Sequence, residues 1–146
     1  MNPPDRLNTI VAVEIAGPLV LGLSWSGGSH ALIDLRHTAS VEPYRALNDP
    51  SVFEAVEIGD WGHSLVWPGD IELGADTLWL DTLEASGRED ASAFIRWRLR
   101  HGLSVAAASG ALGVAEREIA RFSNGETPVP RTILLACRGW EALQAA

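Results

Sequence analysis

The chain has 146 residues, 47% of them apolar and 21% charged, with one cysteine and a net charge of -8. These proportions fit a soluble globular protein of one ordinary or two small domains, and no apolar run reaches the roughly 18 to 20 residues of a membrane-spanning helix. The start, Met1-Asn2-Pro3-Pro4-Asp5, has no basic patch followed by an apolar core, so the sequence predicts no secretory signal and a cytoplasmic location. The first half alternates like a sheet. Thr9–Ile15 and Leu19–Trp25 read as strands broken at Gly17-Pro18, and Ser26-Gly27-Gly28-Ser29 reads as a hairpin turn into His30–Leu35. There His30, Leu32 and Asp34 oppose Ala31, Ile33 and Leu35. Asp49 and Pro50 suit the start of a helix carrying Val52, Phe53 and Val56. Strands are predicted at Glu57–Ile58 and Ser64–Trp67, on either side of Asp60-Trp61-Gly62, with Ile71–Leu73 short and extended. Asp76 is expected to cap a helix over Thr77–Ala85, stopped by Gly87.

Ser86-Gly87-Arg88-Glu89-Asp90 is polar and marks a change of periodicity, which predicts a linker between a domain over 1–88 and another over 91–146. The second is helical throughout. Helices are predicted over Ala93–His101, Val105–Leu112 with Ser104 as cap, Ala115–Ser123 and Arg131–Gln144. In the last, Ile133, Leu134, Cys137, Trp140 and Leu143 are expected to face inward. Charge changes at the same place. Residues 1–90 hold fifteen carboxylates against four arginines, a net -11, whereas residues 91–146 hold seven arginines against four glutamates, a net +3. The chain contains no lysine, so every cation is a guanidinium suited to bidentate phosphate or base-edge contacts.

Val105 to Phe122 has the spacing of a helix, a glycine bend and a second helix. Ser109 is small where two helices would cross, Gly113 can take a left-handed bend, and Val114 and Ile119 can lock the pair. At about 100° per residue, Ala115, Ile119 and Phe122 share one side of the second helix. Arg117, Ala120, Arg121 and Asn124 fall nearly opposite, with Glu116 and Glu118 on the flanks. Such a face can enter a major groove, where arginine reads guanine and asparagine reads adenine. A solvated Arg/Glu face on a plain helical domain would show the same residues.

Phe94-Ile95-Arg96-Trp97-Arg98-Leu99-Arg100-His101-Gly102-Leu103-Ser104, Ala111-Leu112-Gly113-Val114 and Ile119-Ala120-Arg121-Phe122-Ser123-Asn124-Gly125 resemble a Cro/CI-type (XRE family, lambda-repressor-like) helix-turn-helix. The resemblance covers about residues 92–138. It implies an all-α domain of four or five helices that binds operator DNA as a dimer, with Glu116, Arg117, Ala120 and Arg121 at DNA-touching positions. Two positions depart from the family pattern. The glutamine that usually opens the second helix and touches phosphate is Val105, and Glu116 must accept a hydrogen bond from cytosine to avoid phosphate repulsion. In the first half, Leu19 to Gly28, Asp34-Leu35, Leu47-Asn48-Asp49-Pro50, Trp61-Gly62, Leu65-Val66-Trp67-Pro68-Gly69-Asp70-Ile71 and Asp76-Thr77-Leu78-Trp79 resemble the DUF 2442 family. That resemblance implies a small α+β domain without assigned chemistry, in a regulator or an antitoxin-like protein.

The fold expected is therefore α+β: a small mixed β-sheet domain with two helices, then an all-α helix-turn-helix domain. The function expected is a transcriptional regulator that binds double-stranded operator DNA, with Glu116, Arg117, Ala120, Arg121 and Asn124 at the bases and Arg96, Arg98, Arg100 and Arg131 at phosphates. A helix-turn-helix of +3 charge binds weakly alone, so a homodimer built by residues 1–90 is expected to read two half-sites about 34 Å apart. The alternative is an acidic antitoxin-like module that masks a basic toxin partner. No enzyme, cofactor or metal is expected. His63-Ser64 has no nucleophile elbow around it, His30, His37 and His63 lack zinc spacing, and Cys137 sits at an apolar helix position. Trp25, Trp61, Trp67 and Trp79 exceed the needs of so small a core. Two or three should fill it, leaving the remainder for an apolar patch that meets a subunit or partner.

Overall fold

The structure, a computed structural model, describes residues 7–146, so the start read at Met1–Asp5 lies outside the described residues. The chain divides into two compact units, residues 8–86 and residues 87–146, with residue 7 falling in the second. The fold is α+β. Among the described residues no helix is long and apolar enough to cross a membrane.

The first unit opens with an antiparallel meander of β1 (Ile10–Gly17), β2 (Val20–Trp25) and β3 (His30–Asp34), in that spatial order. Register places Leu23 opposite Val13 and Leu21 opposite Ile33. Because side chains alternate along a strand, Leu21, Leu23 and Trp25 share one face, and all three are buried. His30, Leu32 and Asp34 face outward, as their alternation predicts. A short helix, α1 (Pro50–Phe53), is capped by the Asp49 carboxylate, which accepts the Ser51 N–H at 3.0 Å. A second antiparallel meander follows: β4 (Glu57–Ile58), β5 (Ser64–Trp67) and β6 (Ile71–Gly74). The small sheet expected from the sequence is thus two three-stranded sheets. Ile71–Gly74 supplies a full strand because Leu73 pairs with Leu65 and Ile71 with Trp67, which aligns an apolar face.

Helix α2 (Ala75–Ala85) starts before the predicted Thr77, with extended Gly74 as its N-cap in place of Asp76. It covers the first sheet. Trp79 meets Trp25 edge-on at 5.1 Å between ring centroids, and the Trp25 indole donates to Thr82 Oγ1 at 3.0 Å. The Trp67 indole donates to the Phe53 carbonyl at 3.2 Å. Three of this unit's tryptophans therefore fill the core with their N–H groups or ring edges engaged. The fourth, Trp61, is 86% exposed.

The second unit contains α3 (Glu89–Arg100), α4 (Val105–Leu112), α5 (Glu116–Ser123) and α6 (Arg131–Ala145). Helix α3 begins four residues before the predicted Ala93. Glu89 and Asp90 favour the positive helix end, and the Asp90 carboxylate ties down the chain entering α6 by accepting the Val129 N–H at 2.8 Å. Arg88 pairs with Asp90 at 3.1 Å and donates to the Gly125 carbonyl at 2.8 Å. Partial burial opposes ionisation of Asp90, but the Arg88 hydrogen bond and the Val129 and Ala91 N–H groups outweigh it and hold the carboxyl below its ordinary range. The core is aromatic. Phe94 lies 5.5 Å from Phe122 and 5.7 Å from Trp97, and Trp97 meets Trp140 of α6 edge-on at 5.6 Å. Ile95, Val105, Ala108, Ile119, Val129 and Cys137 complete it. Burial, then the charge of Glu141, pushes the Cys137 thiol up to about 11. One inward assignment is corrected: Leu143 is 74% exposed, because residues 142–146 all run past the packed core.

Candidate nucleic-acid interface

Helices α4 and α5 are held in a bend by backbone geometry. Ser104 Oγ caps α4 by accepting the Ala107 N–H at 3.0 Å. Gly113 ends α4 at φ 68°, ψ 33°, a left-handed conformation that L side chains avoid. Its N–H and that of Val114 both return to the Ser109 carbonyl, at 2.9 and 3.3 Å. Ser109 thus contributes its backbone to the bend as well as its small size. Val105 is buried, so the position where the repressor-like pattern has a phosphate-touching glutamine is a core position here.

Ala115 is the N-cap of α5 and offers no side-chain acceptor to its opening N–H groups. The predicted two faces are present except at Ala115, which is exposed instead of sharing the inner side, because it precedes the helix as its N-cap. Ile119 and Phe122 are buried, and Ser123 is buried beside them. Glu116 and Arg117 are exposed, while Ala120, Arg121 and Asn124 are half-buried. Glu116, Arg117, Ala120, Arg121 and Asn124 line one shallow concavity of about 290 Å³, to which Glu126 also contributes. The five base-reading residues expected from helical angle are therefore brought together. Glu126 was missed because it lies beyond the helix, where angular periodicity no longer applies.

The chemistry of this face is uneven. Arg121 Nη1 lies 3.5 Å from Glu118 Oε1, one turn earlier, so this guanidinium is partly neutralised. Asn124 Oδ1 is buried and meets no hydrogen-bond donor among the described residues. It is the acceptor that adenine reading requires, so in this orientation Asn124 shapes the concavity without offering its carbonyl to a base.

The four expected phosphate contacts separate. Arg96 is exposed on α3, and its Nε lies 3.4 Å from Ser92 Oγ. Arg131 is exposed at the first position of α6. Arg100 is exposed but pairs with Glu141 at 2.9 Å. His101 Nε2 reaches the same carboxylate oxygen at 2.6 Å, and these two partners, His101 first, hold Glu141 below the ordinary carboxylate range. Arg98 is corrected outright: it is only 6% exposed. Its Nη1 donates to Ser123 Oγ at 2.7 Å and its Nε to the Leu103 carbonyl at 3.2 Å. The signal was available, since Arg98 follows Phe94 by four residues and Ile95 by three and so lies on their apolar stripe.

Comparison with known proteins agrees with this architecture. The family described as "Protein of unknown function (DUF2442)" matches residues 10–81. The crystal structure titled "Putative DNA Binding Protein NE0471 from Nitrosomonas europaea" superposes with a TM-score of 0.69 at 31% identity, covering 92% of this chain and 87% of that one. No curated protein matches. The chain thus carries a DUF2442 domain over residues 10–81, and its similarity to the Nitrosomonas europaea protein extends over both units.

Proposed function

We propose that this protein is a DNA-binding transcriptional regulator that docks α5 in the major groove of operator DNA. One observation carries the reading. The helix has a buried side that fixes it through Ile119 and Phe122 and an opposite side on which Glu116, Arg117, Ala120, Arg121 and Asn124 gather in one concavity beside a left-handed glycine bend. The description of the Nitrosomonas europaea relative supports the same reading. Arg117 is the principal base reader, with Arg121 joining once freed from Glu118. Arg96, Arg100 and Arg131 supply phosphate contacts, and Arg98 supplies none. A dimer assembled through the acidic unit would present two such helices and double the contacts.

Site selection from random duplexes with the full chain, followed by titration over a range of salt, tests this. With three phosphate contacts per subunit, six per dimer, the logarithm of affinity should fall against the logarithm of salt with a slope of about -5. Arg117→Ala should cost about 1–3 kcal/mol in binding and relax preference at one position. A flat salt response, or an Arg117→Ala variant that selects the same sites with equal affinity, would overturn the reading.

A further inference from the structure

We propose that Trp61 anchors a docking surface for an arginine- or lysine-bearing segment of a basic protein partner. Trp61 is 86% exposed, while Trp25, Trp67 and Trp79 of the same unit are buried. Its backbone is left-handed, at φ 60° and ψ 15°, where glycine would sit without strain. A bulky side chain held in that conformation and turned to solvent contributes nothing to the core. Its rationale lies outside the unit.

The turn that carries it is rigid. The Gly59 N–H donates to the Ser64 carbonyl at 2.8 Å, the Gly62 N–H to the Gly59 carbonyl at 3.1 Å and the His63 N–H to the Asp60 carbonyl at 3.1 Å. A Cβ on Gly62 would collide with the Ile10 carbonyl oxygen, so the turn is pressed against the start of β1. The next residue there, Val11, is 58% exposed. The hydrogen-bonded turn limits the backbone freedom lost on binding, and tryptophan is enriched among the residues that dominate interfaces.

Charge selects the occupant. Residues 8–86 carry twelve carboxylates and two arginines, a net -10. Both arginines are matched within the unit, Arg36 to Asp34 at 2.6 Å and Arg45 to Glu42 at 4.0 Å. The Asp60 carboxylate belongs to the residue before Trp61. An exposed indole with an exposed carboxylate one residue away in sequence, on a strongly negative unit, suits a guanidinium or ammonium, which can take a cation–π contact and an ion pair. A nucleic-acid base could stack on the same ring, but its phosphates would meet the negative field. A second acidic unit seated on this turn would bring another -10, so a dimer through that unit would use a different face.

The test uses the full chain at low salt, about 50 mM, and an octapeptide alternating arginine with glycine. The Trp61 indole N–H resonance is identified by its loss in Trp61→Gly. It should shift saturably with the arginine peptide and remain unmoved by a glutamate counterpart or by oligo-thymidylate. Trp61→Gly should weaken peptide binding about five- to tenfold, and Asp60→Asn should also weaken it. Trp61→Gly should unfold at the wild-type temperature or a few degrees higher because the strained φ is relieved, which separates lost binding from lost folding. No saturable shift in the wild type, or equal binding by Trp61→Gly, overturns the proposal. So do an equal shift with oligo-thymidylate, which would assign the turn to nucleic acid, and a wild-type dimer that Trp61→Gly dissociates, which would assign it to a second copy.

Discussion

Arg98→Met is the substitution that separates the guanidiniums that build the helical unit from those that face outward. The buried Arg98 head donates to Ser123 Oγ at 2.7 Å and to the Leu103 carbonyl at 3.2 Å, and Ser123 Oγ in turn donates to the Ile119 carbonyl at 2.8 Å. Hydrogen bonds to a charged group contribute about 1.5–3 kcal/mol each, offset in part by the desolvation that the charge no longer suffers. Methionine keeps most of the volume, so the cavity contribution is small. The net loss should be about 2–4 kcal/mol. In a unit of this size that lowers the melting temperature by roughly 8 °C or more. Thermal unfolding followed by circular dichroism at the helical band reads it directly, alongside Arg117→Ala, which should melt as the wild type does. If Arg98→Met melts with the wild type and instead loses DNA affinity as Arg117→Ala does, the assignment of Arg98 to the interior is wrong.

Other outcomes follow from the same geometry. Gly113→Ala should cost about 1 kcal/mol by calorimetry, since the position is left-handed but open, with nothing within 4 Å of a Cβ. Gly62→Ala should cost several times more, because it adds a collision with the Ile10 carbonyl to the same φ penalty. Glu118→Gln removes the partner of Arg121 and a charge that phosphates repel, so DNA affinity should rise about three- to tenfold by fluorescence anisotropy. Asp90 and Glu141 both titrate below their ordinary range in the folded chain. Their contribution to stability is therefore present above the ordinary carboxylate range and is lost as pH falls through the depressed values, below about pH 4. Asp90→Asn should lower the neutral-pH melting temperature and flatten its decline in acid.

Strand alternation from Ile10 to Asp34, the Gly113 bend and the two-faced character of residues 116–124 were legible because each follows from a short-range rule of period or φ. Less legible were features decided by distant partners. Helix α3 starts early because Asp90 meets Val129, 39 residues away. The charge of Arg98 points to the surface, whereas its place on the Phe94–Ile95 stripe points inside, and the stripe prevails because Ser123 and Leu103 accept from the guanidinium. At Leu143 the apolar periodicity continues after the core it could meet has ended. The division of the strands into two sheets depends on which edges pair, and alternation along a single strand carries no information about that.

The separation of duties on α5 bears on how this protein could change its target. Ile119, Phe122 and Ser123 anchor the helix from inside, and none of them belongs to the outer set of Glu116, Arg117, Ala120, Arg121 and Asn124. Replacing that outer set leaves Ile119, Phe122 and Ser123 themselves unchanged. If the proposed DNA docking holds, operator preference could change, by natural drift or by directed randomisation of those five codons, without altering the residues that anchor the helix.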